Sequence, residues 1–294
     1  RRDILDESPS AERHDLHGRT LLPGFIDAHN HLSVAALHPI WADVSAARTM
    51  DELAAALRAQ ARREPAAAWI RAWGWRETIG LILDRHDLDS LGLDRPIVVA
   101  HYTLHQCVVC TRGLDELGIG RETDAPLGGE IVRGAGNEPT GLLIERAWSE
   151  AHARSMTAYS DPERFDTLIV ARAQQLLAEG VTCVHDAACS PAAEAAYRRL
   201  RAQDALPVSI FAMPHPAGIL SPLDPRRLQG PPSGEGDEWL RIGPIKLFAD
   251  GGQAPALDVC LGGMPLRIGI LFPNLEQELR QVVEHGFRVA IHAI

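Results

Sequence analysis

Apolar and polar positions along the chain fall into two rhythms, helical over some stretches and continuous over others. In TMDELAAALRAQARR, Met50, Leu53, Ala54 and Leu57 recur on one helical face behind Thr49 as a cap, which predicts a helix. DPERFDTLIVARAQQLLAEG predicts a second, with Asp161 as cap, Pro162 in the first turn and Gly180 as its stop. Residues 1 to 20 are polar and carry no clear period, whereas Leu21 to Ile26 reads as a strand entered through Pro23-Gly24. From about residue 67 to 145, strand candidates such as PIVVAHY and GEIV sit among Gly, Pro and Asp turns, as expected of a small inserted subdomain. Beyond residue 180 the pattern turns regular: strand VTCVHDA, helix PAAEAAYRRLRAQ, strand LPVSIFAMP, strand IGPIKLFADG, helix NLEQELRQVVEHG, strand RVAIHAI. QGPPSGEGDEW reads as a loop. These strand runs are too apolar to alternate, so a parallel sheet covered by helices is predicted. The class is α/β, as a (β/α) barrel or a doubly wound sheet.

Composition narrows the function classes. With 294 residues and 46% hydrophobic content, the chain can bury a large core. A formal charge of −10, from 29 Lys+Arg against 39 Asp+Glu, and the lack of a basic block argue against a nucleic-acid partner. No apolar run approaches the roughly 18 residues of a membrane span, and RRDILDESPS has no apolar core of a leader peptide, so neither a membrane nor export is expected. Five cysteines do not suggest a disulfide framework and fit a reducing, cytoplasmic setting.

The chemistry begins at LLPGFIDAHNHL. Residues two apart on a strand project to one face, about 6.6 Å apart, so His29 and His31 can converge on one ion while Asn30 points away. Imidazole nitrogens bind zinc at about 2.0–2.1 Å, and reactive groups of barrels gather at the C-terminal strand ends. A bare H-x-H is more often a strand-to-loop junction with two partly exposed histidines. The full string PGFIDAHNH, however, resembles the opening strand of the amidohydrolase superfamily. Further similar segments are AWGW, DLDSLGLDRPIVV, LGGEIVR, PTGLLIE, GVTCVHDA, IKLFADG and VAIHAI, and they look nearest to the amidohydrolase-3 branch that includes N-substituted formamide deformylase-like proteins.

That resemblance implies a (β/α) TIM-type barrel of the metal-dependent hydrolase kind over residues 23–294, here with about five barrel strands. It also implies part of a small β-sandwich over residues 1–22 and the insertion at about 67–145. It implies His29 and His31 as metal ligands, Lys246 as a carboxylated lysine able to bridge two ions, and His292 as a further ligand, with Lys246 and His292 counted as catalytic. One or two divalent ions, zinc above all, would activate water to cleave a carbon–nitrogen bond of a small molecule, a non-peptide amide or formamide. Similar proteins continue past the position of Ile294 with Gly-Asp and three more strands, which bring another histidine ligand and the general-base aspartate. The alternative is a non-catalytic metal-stabilised binding module or an inactive piece of such an enzyme. An open sheet edge also leaves room for a homo-oligomer.

A count of strands agrees with this register: with 67–145 as an insertion, Lys246 falls on the fourth barrel strand and His292 on the fifth. Lys246 lies in an apolar strand, where an ammonium must be paired, neutral or modified, and Asp250 is its alternative partner. Asp27, two residues before His29, is placed to orient it. Three residues are substrate candidates: His105, Trp75 and Asp186. The family place of His105 usually has Gly before the histidine and an Asn after it, whereas here Leu104 and Cys110 stand there. Trp73 and Trp75 would wall the pocket or simply pack. Only one of His185 and Asp186 can point inward, and Asp186 is as apt to brace a loop or a neighbouring strand as to touch substrate. Glu145 matches a family glutamate. Cys107 and Cys110 form a lone C-x-x-C, better read as buried thiols than as a metal or redox pair. GAGNEPTG fails as a dinucleotide loop, because Pro139 replaces the third glycine.

Overall fold

The computed structural model describes residues 10–12, 14–76, 81–156, 161–216, 218–252, 257–261, 264–268 and 272–293, with backbone alone for 257–268. Its strands, in chain order, are β1 (Phe25–Asn30), β2 (Ala42–Asp43), β3 (Ile70–Trp75), β4 (Ile97–His101), β5 (Gln106–Val109), β6 (Gly129–Arg133) and β7 (Pro139–Glu145). They continue with β8 (Val181–Cys189), β9 (Ser209–Pro214), β10 (Leu240–Ile242), β11 (Ile245–Phe248), β12 (Leu257–Leu261), β13 (Met264–Ile268) and β14 (Val289–His292).

The regular βα pattern produces parallel pairing, in the order β1-β8-β9-β10, and a parallel pair β11-β14. IGPIKLFADG, expected as one strand, is two. Gly243 still donates to the Ala212 carbonyl at 2.6 Å, but Pro244 has no N–H, so the ladder breaks there and β11 turns to β14. Helices Pro162–Ala178 and Pro191–Ala202 cover the parallel sheet, packing Phe165, Ile169, Ala173, Tyr197 and Leu200 on Val184, Ile210 and Ala212. The Leu275–Glu284 helix sets Val282 against Ile245 and Leu247.

A second, mixed sheet has the order β2-β3-β4-β5-β7-β6; β2, β3 and β4 are parallel and the remainder antiparallel. Its first strand precedes residue 67. The Met50–Arg63 helix places Leu53 and Leu57 in the core of this sheet. Its start is fixed as the sequence predicts: Thr49 Oγ1 accepts the Glu52 N–H and Glu52 accepts the Thr49 N–H, a capping box. β12 and β13 form a separate antiparallel pair. Of residues 1–22, where a sandwich remnant is expected, 1–9 and 13 lie outside the described residues, and the others contain no strand. Among the described residues no helix is long and apolar enough to cross a membrane.

Candidate active site

β1 ends on Asn30, and His31 caps the one-turn helix Leu32–Ala35. Pairing with β8 shifts register between Asp27 and Asn30, which face Val184 and Asp186. The strand end is therefore irregular, and simple alternation does not set the two imidazoles. They meet nonetheless, edge to face with ring centroids 5.4 Å apart. Asp27 acts on the strand end: Oδ1 accepts the His29 backbone N–H at 3.1 Å and Oδ2 accepts the Asn30 side-chain amide Nδ2–H at 2.8 Å. It shapes the bend that carries His29 and makes no hydrogen bond to the His29 ring, which corrects the expected orienting contact.

Lys246 is buried in β11, its Nζ 5.1 Å from the centre of the Phe248 ring. Register aligns Phe248 with His292 on β14, and these rings lie 5.5 Å apart. A fourth imidazole joins the cluster. His215, just beyond β9, packs edge to face on Phe248 at 5.3 Å, and its Nδ1 donates to the Lys246 carbonyl at 3.1 Å. Sequence reading passed over it; the available signal is a histidine between two prolines, MPHP, directly after a parallel strand. His31 Nδ1, His215 Nε2 and His292 Nε2 are buried without hydrogen-bond partners.

Burial and mutual repulsion disfavour the charged forms of these groups. His31 is pushed down to about 4 by burial, then by His29, Lys246, His105 and His215. His292 also falls to about 4, through burial, His105 and Lys246, with buried Asp250 opposing. His215 reaches about 4 mainly through burial, against its hydrogen bond to the Lys246 carbonyl. His29 is lowered by burial and then Lys246, and burial alone lowers Lys246. His38, stacked on Trp73 at 3.8 Å, is likewise held at about 4, by burial and Arg71.

A histidine whose folded pKa lies below its ordinary 6.5 binds its proton more readily when unfolded. Its stability contribution is present above pH 6.5 and lost as pH falls through 6.5 toward about 4. The metal-free chain is thus expected to have a lower urea midpoint at pH 5 than at pH 7. Equal midpoints would contradict the burial of these neutral rings.

The substrate candidates separate. His105 is buried, with Nδ1 2.7 Å from Glu145 Oε2 and its ring 5.6 Å from that of His292, so it belongs to the imidazole group. Trp75 packs in the core of the mixed sheet, donates its indole N–H to the Leu81 carbonyl at 2.7 Å and touches His101; it is a packing residue. Asp186 is fully buried, accepts the Tyr197 hydroxyl at 2.5 Å and lies 3.4 Å from the Ser33 N–H. Through Oδ2 it braces β8 against its helix and the Leu32–Ala35 turn, while Oδ1 is buried without a partner. His185 points the other way, onto Phe211. Cys107 is a buried thiol pushed up by burial, and Cys110 Sγ accepts the Ile97 and Gly113 N–H groups. Neither is a metal or redox group.

Neutral imidazoles with unpartnered lone pairs around a buried amine are a donor set suited to a divalent cation. Among the described residues, though, no three His, Cys, Asp or Glu side chains stand together at metal-binding spacing. His29 and His31 supply a pair, and Lys246 would have to gain a carboxylate to complete it.

Parallel strands ending in imidazoles and a buried lysine define an α/β fold of the metal-dependent hydrolase kind. Two solved structures share it, both uncharacterized metal-dependent hydrolases. The one from Pyrococcus horikoshii OT3 matches with a TM-score of 0.66 and 22% identity, over 100% of this chain and 57% of that one. That from Pyrococcus furiosus matches with a TM-score of 0.62 and 22% identity, over 99% and 59%. The chain belongs to the Amidohydrolase family, whose pattern it matches over residues 12–294. It is 31% identical to an N-substituted formamide deformylase of Arthrobacter pascens over 98% of its own length, and it spans about 55% of the length of the curated relatives it matches.

Proposed function

We propose that this protein is a metal-dependent hydrolase that cleaves a non-peptide carbon–nitrogen bond, an amide or formamide, of a small molecule. The observation that carries this reading is the grouping of the His29–His31 pair, Lys246 and His292, with the His31 and His292 imidazoles kept neutral by burial and a buried ring nitrogen of each left without a partner. Family membership and the formamide-cleaving relative set the bond type. The parallel strands fit part of a TIM-type barrel, with these residues at its C-terminal face. His29, His31, carboxylated Lys246 and His292 would hold one or two divalent ions, zinc by donor type.

Such an ion, when bound, supplies polarisation of a carbonyl and acidification of water. The chain's own residues prepare its place. The Asp27 carboxylate fixes the β1 bend that brings His29 to His31. Burial favours the free amine of Lys246, which can add to carbon dioxide, losing one proton and gaining the negative carbamate that a cation site needs. His215 ties the Lys246 backbone through its carbonyl. His105 would meet substrate beside His292, whose ring lies 5.6 Å from its own.

The absence of a ready three-ligand group among the described residues favours a second reading, a metal-stabilised binding module without catalysis. One assay separates the two. The zinc-loaded protein is expected to release formate from an N-substituted formamide, to stop after chelation and to resume on zinc addition. Bound zinc without hydrolysis would establish the module, and chelator-resistant hydrolysis would refute the metal mechanism.

A further inference from the structure

We propose that Glu145 is a positioning residue that locks His105 in one tautomer, with the proton on Nδ1 and the Nε2 lone pair presented as an acceptor for the N–H of a monosubstituted amide or formamide. This rests on the hydrolase reading above and names the substrate feature it selects.

The pair is built from distant parts of the chain. His105 lies in the β4–β5 connection after Leu104, whose φ is 62°, and Glu145 ends β7 with a φ of 52°. Left-handed conformations at two non-glycine residues persist only where the surroundings impose them. Here the imposed contacts are explicit: the Glu145 N–H donates to the His105 carbonyl at 2.7 Å, and the Trp148 indole N–H donates to the Leu104 carbonyl at 2.7 Å. Both ends of the backbone are thereby fixed, and the two side chains meet at 2.7 Å with 8% and 3% of their residues' surface exposed.

The hydrogen-bond inventory selects the tautomer. Nδ1 has one in-plane site, which either donates or accepts. The Gly252 N–H lies 2.9 Å from Nδ1 and 3.2 Å from Glu145 Oε1. If Nδ1 accepted from Gly252, its lone pair would stand 2.7 Å from the carboxylate Oε2, a buried repulsion. With the proton on Nδ1, the ring donates to Oε2, the Gly252 N–H serves Oε1, and both carboxylate oxygens are satisfied. Nε2 is then an acceptor. Because Gly252 follows the Lys246 strand, the same clamp fixes the mixed sheet over the end of β11.

A fixed acceptor beside His292 would complement an amide N–H, so N-monosubstituted formamides are favoured over N,N-disubstituted ones. In Glu145→Gln the side-chain amide donates to Nδ1, which moves the ring proton to Nε2 and turns the acceptor into a donor. The test is nitrogen-15 NMR of the histidine rings in the metal-free full chain, with the His105 signals assigned by their loss in His105→Gln. The wild type is expected to show Nδ1 protonated and Nε2 bare, and Glu145→Gln the reverse. A wild-type His105 protonated on Nε2, or a tautomer unchanged in the variant, would overturn the proposal. Should the variant not fold, the wild-type spectrum alone decides. Independently, zinc-loaded Glu145→Gln is expected to keep its metal and lose about tenfold in kcat/KM on an N-monosubstituted formamide. Loss of bound zinc in this variant would instead make Glu145 part of the metal site. The NMR result needs neither metal nor turnover, so failure of the hydrolase reading is distinguishable from failure of this one.

Discussion

Gly252→Ala is expected to destabilise the chain by about 3 kcal/mol, the upper end of the usual range for overpacking, and to displace His105. A Cβ at 252 would stand 2.0 Å from His105 Nε2, 2.2 Å from Cδ2 and 2.3 Å from Cε1, inside the imidazole itself. The ring cannot step aside, since Glu145 grips Nδ1 and the residue is nearly enclosed. The neighbouring substitution, Gly251→Ala, strikes the other half of the pair at 2.3 Å from Glu145 Oε1. The Asp-Gly-Gly sequence after β11 is thus explained by close approach of backbone to the buried His105–Glu145 hydrogen-bonded pair rather than by turn geometry. Urea unfolding checks the first variant. A wild-type midpoint would mean that the Gly252 backbone does not pack on His105 as described.

The second large effect is expected of the double substitution His29→Ala/His31→Ala, which should abolish metal-dependent hydrolysis while leaving the fold. His29 is exposed, and His31, half-buried as a residue with its Nδ1 enclosed, sits at a helix cap without a side-chain capping bond, so truncating them leaves the hydrophobic core clusters intact. Outer partners of metal ligands typically cost 10- to 100-fold when removed, so loss of two ligands is expected to exceed about a hundredfold in kcat/KM. The comparison is informative because Asp27, His215 and Lys246 remain in place. A folded double variant with wild-type turnover would move the chemistry away from β1.

Much of this was legible along the chain, for local reasons. Thr49 with Glu52, and Asp161 with Pro162, are caps formed within one turn, so the helix starts follow from neighbours in sequence. The two histidines meet as expected, yet through a register shift that no alternation rule contains. What was not legible depends on distant partners. His215 gains its meaning from the Lys246 carbonyl, 31 positions on, and Glu145 from His105, 40 positions back. For Asp186 the strand end leaves bracing and substrate contact equally open, and the bracing partners, Tyr197 and the Ser33 backbone, are distant in sequence. For Trp75, open to walling the pocket or to packing, a strand's alternation shows two faces without saying which faces the site, and its own faces the core of the mixed sheet. β2, two residues long, offers no period to read, and its pairing with β3 brings the sheet back to Ala42.

The central claim is that β1 and β11 together form a cation site, and elemental analysis of the purified protein after zinc saturation and removal of free metal tests it most directly. The account predicts stoichiometric zinc in the wild type, none in folded His29→Ala/His31→Ala, and a reduced content in Lys246→Ala. A folded wild type that retains no zinc, or a double variant that retains all of it, would contradict the account.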